Sequence, residues 1–129
     1  MGSKNENMNK QELRAYCSSK KGAEETFPFD AVTLVFKVMG RMFALMSVDS
    51  PDDQPPRINL KCDPALAEIL RETYEAVQPG YHMDKRHWNT VICDGSIPDD
   101  EIREMIDNSY ALVVEKLKKG DREKLQAMD

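Results

Sequence analysis

The segment Arg57-Ile-Asn-Leu-Lys-Cys62 alternates apolar and polar residues without a break. Side chains along a strand point to opposite faces in turn, so Ile58, Leu60 and Cys62 share one face and Arg57, Asn59 and Lys61 the other. A strand of this kind buries one side and presents the other to solvent or a partner. That suits an antiparallel sheet covered by helices on a single face. It confines the chain to an α+β two-layer domain, and 129 residues suffice for one such domain with a real core.

The rest of the chain supplies matching elements. Asn9 with Glu12 at the third position forms a capping pair for a short helix carrying Leu13, Tyr16 and Cys17, stopped near Gly22. Val32 to Val38 is rich in β-branched residues and predicts a strand. Met39-Gly40 turns the chain, and Met42 to Val48 returns beside it. Asp49 to Pro56 is an exposed loop, crowded with prolines and aspartates. Asp63-Pro64 opens a second helix, aspartate as N-cap and proline at the first helical position, with Leu66, Ile69 and Leu70 as its apolar stripe. Trp88 to Cys93 predicts another strand. The last helix opens at Pro98 with Asp99, Asp100 and Glu101 in its first turn, where acids favour the helix dipole. The expected shared core is Ile58, Leu60, Leu66, Ile69, Ile102, Ile106 and Val113. Residues 1–8 read as a disordered lead-in, 9–119 as the domain, and 120–129 as a charged, solvated tail. Phe27-Pro28-Phe29, just before the first strand, reads as a plug for the end of the sheet.

Charge and composition restrict function. A net charge of −5, from 18 cations against 23 acids, excludes a protein coated in positive potential, so any nucleic-acid contact must come from a local patch. No apolar run has the length of a membrane span. Cys17, Cys62 and Cys93 show neither zinc spacing nor a disulfide framework, which fits a reducing cytoplasm and no bound metal or cofactor. Cys62 and Cys93 fall on strand faces as core fillers.

Chemistry concentrates in Pro79-Gly-Tyr-His-Met-Asp-Lys-Arg-His-Trp-Asn-Thr-Val91. Two histidines, two cations, a tyrosine and the only tryptophan lie in one turn-and-strand segment. Arg57, Lys61, Lys85 and Arg86, with Lys37 and Arg41 at the first hairpin, could grip phosphates, while Tyr81, His82, His87, Asn59 and Asn89 could add sugar or base contacts. Trp88 at a strand start is expected in the core. His82 and His87 lack a third ligand at a recognisable spacing, and there is no glycine-rich phosphate loop or nucleophile elbow.

These residues also carry a family resemblance. Phe27-Pro28-Phe29, Val35-Phe36-Lys37-Val38, Met42-Phe43-Ala44-Leu45, Asn59-Leu60-Lys61-Cys62-Asp63-Pro64, Pro79-Gly80-Tyr81-His82-Met83, Lys85 to Val91 and Ser109-Tyr110 resemble the MmcQ/YjbR family in register, from about Asn9 to Leu117. The resemblance implies an α-β-β-β-α-β-β-α order with a mainly antiparallel five-stranded sheet, CyaY-like and similar to secretion chaperones, and a further strand around Val77 to Met83. It also implies a small, non-catalytic, bacterial DNA-binding module. Two other classes fit the residues: a protein-interaction adaptor, and a domain binding a small anionic ligand through the Tyr81-His82-Lys85-Arg86-His87 cluster. A continuous positive strip would favour DNA, a bare apolar groove an adaptor, and a concave site where His82 and the cations converge a small ligand.

Overall fold

The computed structural model describes residues 8–81 and 83–128. The elements are α1 (Lys10–Ser18), β1 (Ala23–Thr26), β2 (Thr33–Val38), β3 (Arg41–Ser47), β4 (Arg57–Lys61), α2 (Pro64–Thr73), β5 (Val77–Pro79), β6 (Trp88–Ile92), α3 (Asp99–Glu115) and α4 (Lys119–Gln126). The strands form one sheet in the order β1-β2-β3-β4-β6-β5, every neighbouring pair antiparallel. The expected two-layer α+β architecture is therefore present, with a sixth strand. β1 has the sequence Ala-Glu-Glu-Thr, which carries no hydrophobic run. It is an edge strand recruited by backbone pairing to β2, from Ala23↔Val38 to Thr26↔Val35.

Local chemistry explains the element ends. Asn9 accepts from the Glu12 amide at 2.8 Å while the Glu12 carboxylate accepts from the Asn9 amide at 3.0 Å, a complete capping box. Asp63 accepts from the Ala65 and Leu66 amides at the start of α2. The β2–β3 turn holds Met39 at φ 50° and Gly40 at φ 82°, the two left-handed positions that a two-residue hairpin turn requires. The register shifts between Phe36 and Lys37, so β3 is bulged at Phe43.

Register separates the two sheet faces. Leu34, Phe36 and Val38 of β2, Ala44 and Met46 of β3, and Ile58 and Leu60 of β4 point into the main core with Ile102, Ile106 and Val113 of α3. Ser109 of α3, fully buried, accepts from the Lys61 amide at 2.9 Å and donates to the Phe43 carbonyl at 2.5 Å. One hydroxyl thereby ties α3 to β4 and to the backbone carbonyl at the β3 bulge. Among the described residues the opposite face carries no helix layer, and there Val35, Leu45 and Trp88 form a second, smaller apolar cluster with Met42 and Met83.

Three expectations are corrected. Ile69 is 56% exposed and Leu66 only half-buried. The face of α2 that meets the core is rotated toward Ala67, which is buried, and Leu70. The tail is not wholly solvated, because residues within it belong to α4 and Leu125 is buried in the main core. Met8, assigned to the lead-in, is likewise buried in that core; residues 1–7 lie outside the described residues.

Candidate functional site

The open face of the sheet is a groove, built by three connecting segments that rise around its floor. Phe29 and Asp30 come from the β1–β2 connection, Ser50, Gln54 and Pro55 from the β3–β4 loop, and Tyr81, Met83 and Asp84 from the β5–β6 loop. The floor consists of alternate strand residues: Thr33, Leu45, Ser47, Arg57, Asn59 and Thr90. The enclosed volume is about 880 Å³. Parity brings these residues to one face; Leu45 pairs with Asn59 across β3–β4, and Asn59 with Thr90 across β4–β6.

Hydrogen bonds hold the groove in shape. The Thr90 hydroxyl donates to Asn59 Oδ1 and accepts from the Tyr81 amide at 3.0 Å, tying the β5–β6 loop to the floor. Asp30 accepts from the Val32 and Thr33 amides at 2.9 and 2.7 Å and from the Thr33 hydroxyl at 3.1 Å. These donors hold its carboxyl below the usual carboxylate range. Asp84 is lowered by the His87 ring, 2.8 Å away, and by the Arg86 amide at 3.0 Å. Gly80 is needed because a Cβ there would stand 2.8 Å from the Trp88 Cβ.

The expected site residues do not all converge. Arg57, Asn59 and Tyr81 enter the groove. Lys37 and Lys61 share the open face by register but lie outside the groove's lining. Arg41 stands at the end of the β2–β3 hairpin. Lys85 is folded back, its Nζ donating to the Gly80 carbonyl at 3.0 Å. Arg86 is exposed in the turn, and His87 is engaged with Asp84. His82 lies outside the described residues.

Asn89 is corrected outright. It pairs with Leu60, faces the helix layer, and is buried, with Oδ1 accepting from Arg71 Nε at 2.8 Å. Arg71 also donates to the Lys85 carbonyl and to that of Trp88, so it clamps the chemistry-rich segment from behind. Asn89 is thus a structural residue. Sequence reasoning missed Arg71, a cation in the last turn of α2.

Phe27-Pro28-Phe29 is no plug. Phe27 is 43% and Phe29 63% exposed, and Phe29 walls the groove opposite Tyr81, itself 70% exposed. Trp88, by contrast, is buried as expected.

Comparison with known proteins follows the same outline. Residues 18–112 match the family model described as YjbR. This chain belongs to the YjbR family. It is 38% identical over 114 residues to the uncharacterized protein YjbR of Escherichia coli, covering 88% of this chain and 94% of that one. It is 36% identical over 103 residues to uncharacterized YbdF of the same species, covering 80% and 82%. A crystal structure of a Deinococcus radiodurans protein matches with a TM-score of 0.81 at 39% identity, covering 90% of this chain and 86% of that one. No helix among the described residues is long and apolar enough to cross a membrane.

Proposed function

We propose that this YjbR-family domain is a non-catalytic binding module whose ligand seats in the groove on the open face of the sheet. The observation that carries this reading is the groove itself. Its volume of about 880 Å³ falls within the range of roughly 300–1,000 Å³ common to small-ligand sites. It is walled by the exposed rings of Phe29 and Tyr81 over the apolar floor residue Leu45. Two large exposed aromatics at the rim of a concave site that also holds Leu45, Met42 and Met83 support a binding role. The floor hydroxyls are engaged within the protein: Thr33 donates to Asp30, Ser47 to its exposed neighbour Asp49 at 2.7 Å, and Thr90 to Asn59. That supports binding rather than chemistry on the ligand. Three buried cysteines support a reducing, cytoplasmic setting.

A ligand-observed NMR screen of a fragment set tests this reading, comparing wild type with Ser47→Trp. Position 47 is an exposed strand position on the groove floor, where tryptophan is compatible with strand structure and fills the cavity. The expected result is that hits are lost in the variant while its melting temperature is retained. Hits surviving unchanged would overturn it.

DNA binding is the second reading, favoured by one observation. Lys37, Arg57 and Lys61 share the open face and make no ion pair among the described residues. With so few cations, duplex affinity should be weak and fall with salt at a slope of about −0.9 per neutralised phosphate. No association at low salt would remove this reading.

A further inference from the structure

We propose that the groove's ligand is a small amphipathic monoanion, an aromatic or branched apolar body bearing one carboxylate- or sulfonate-like group that Arg57 anchors. This deepens the binding reading above and rests on it. Arg57 is the only cation among the groove-lining residues, and its guanidinium has no ion pair among the described residues. Two acids, Asp30 and Asp84, also line the groove, yet neither neutralises it. Asp30 is engaged by Val32 and Thr33, and Asp84 by Arg86 and His87. A guanidinium without an ion pair, in a groove that also presents Leu45, Met42 and Met83, offers two donors in a planar fork, the geometry that matches a carboxylate or sulfonate.

The same two acids restrict the ligand to a single negative charge. Both stay ionised at neutral pH and stand on the rim, so a second anionic group would meet repulsion without a cation to receive it. A polyanion such as a phosphodiester chain is disfavoured on the same ground. Leu45, Met42 and Met83 supply the apolar bed, and Phe29 and Tyr81 stand where they would cover a flat ring. Enclosure by three connecting segments suits a compact free molecule rather than a long polymer.

The test uses two fluorescent probes with the same ring skeleton, the anion anilinonaphthalene sulfonate and the neutral N-phenylnaphthylamine. Each is titrated against wild type, Arg57→Gln, Tyr81→Ala and, as a control on an exposed cation outside the groove lining, Arg86→Gln. Wild type should bind the anion about tenfold more tightly than the neutral probe, and Arg57→Gln should erase that preference while leaving the melting temperature and neutral-probe affinity unchanged. Tyr81→Ala should weaken both probes alike, and Arg86→Gln neither. If both probes bind wild type equally and Arg57→Gln changes neither, the anionic anchor is refuted while the groove survives as an apolar site. If neither probe binds, the binding reading itself falls with it. Loss of anion preference in Arg86→Gln equal to that in Arg57→Gln would also overturn the assignment.

Discussion

Replacing Ser109 by alanine should cost far more than the loss of one hydroxyl suggests. Its Oγ is a relay between two backbone groups at the junction of three elements: the Lys61 amide donates to it at 2.9 Å, and it donates to the Phe43 carbonyl at 2.5 Å. Ser109 is fully buried, and alanine leaves no space for water to take over. The substitution therefore strands one donor and one acceptor in an apolar environment. Each unsatisfied buried group costs about 1–3 kcal/mol, so the pair should destabilise the fold by about 2–6 kcal/mol. The effect is legible in equilibrium urea unfolding followed by Trp88 fluorescence. With a slope of about 1–3 kcal/mol per molar urea for small domains, the midpoint should fall by about 1 M or more with the slope unchanged. A loss under about 0.5 kcal/mol would show that these two backbone groups are satisfied elsewhere and that the three-way junction is misread.

Ile106→Ala should cost about 2–5 kcal/mol because Ile106 is fully buried, whereas Ile69→Ala at a 56% exposed position should change stability by under about 0.5 kcal/mol; equal losses in urea melts would mean that the core face of α2 is wrongly placed. Arg71→Ala should free the 85–89 segment and leave Asn89 Oδ1 buried without its donor, a loss of about 1–3 kcal/mol with faster amide exchange at Trp88; unchanged exchange there would contradict the clamp. Burial pushes the Cys17 and Cys93 thiols up from 9.0 to about 12, so folding favours their protonated forms. Their contribution to stability is full below pH 9 and is lost as pH climbs toward 12, which a series of urea melts from pH 8 to pH 11 should show as a falling midpoint. A Cys17→Ser/Cys93→Ser variant with the same alkaline decline would assign it to other groups.

Much of the fold was legible because its constraints are local. Alternation from Arg57 to Cys62 declared a strand with one buried face, and Asp63-Pro64, Met39-Gly40 and Pro98 marked boundaries through capping and turn chemistry that acts within a few residues. β1 escaped notice because an edge strand with one neighbour needs no hydrophobic face. α4 escaped for a related reason, since a helix docked through Leu125 barely alters a charged sequence. On α2, Ile69 outweighed Ala67 by hydrophobicity, yet the helix is turned so that Ala67 is buried and Ile69 exposed. The site was half legible. Arg57, Asn59 and Tyr81 were found from alternation and from the density of functional groups in 79–91, and the structure brings them together in one groove. Asn89 was misplaced because parity alone does not say which face of β6 meets the helices; pairing with Leu60 does. Phe29 was misjudged because an aromatic that walls a groove and one that plugs a core look alike in sequence.

The central claim is that ligands meet this molecule on the open sheet face. Amide chemical-shift mapping on uniformly ¹⁵N-labelled protein during titration with anilinonaphthalene sulfonate tests it most directly. The account predicts saturable shifts concentrated at Leu45, Asn59, Arg57, Tyr81 and Thr90, with α3 and its buried face silent. Shifts centred on α1, α3 or α4, with the groove residues unmoved, would contradict it.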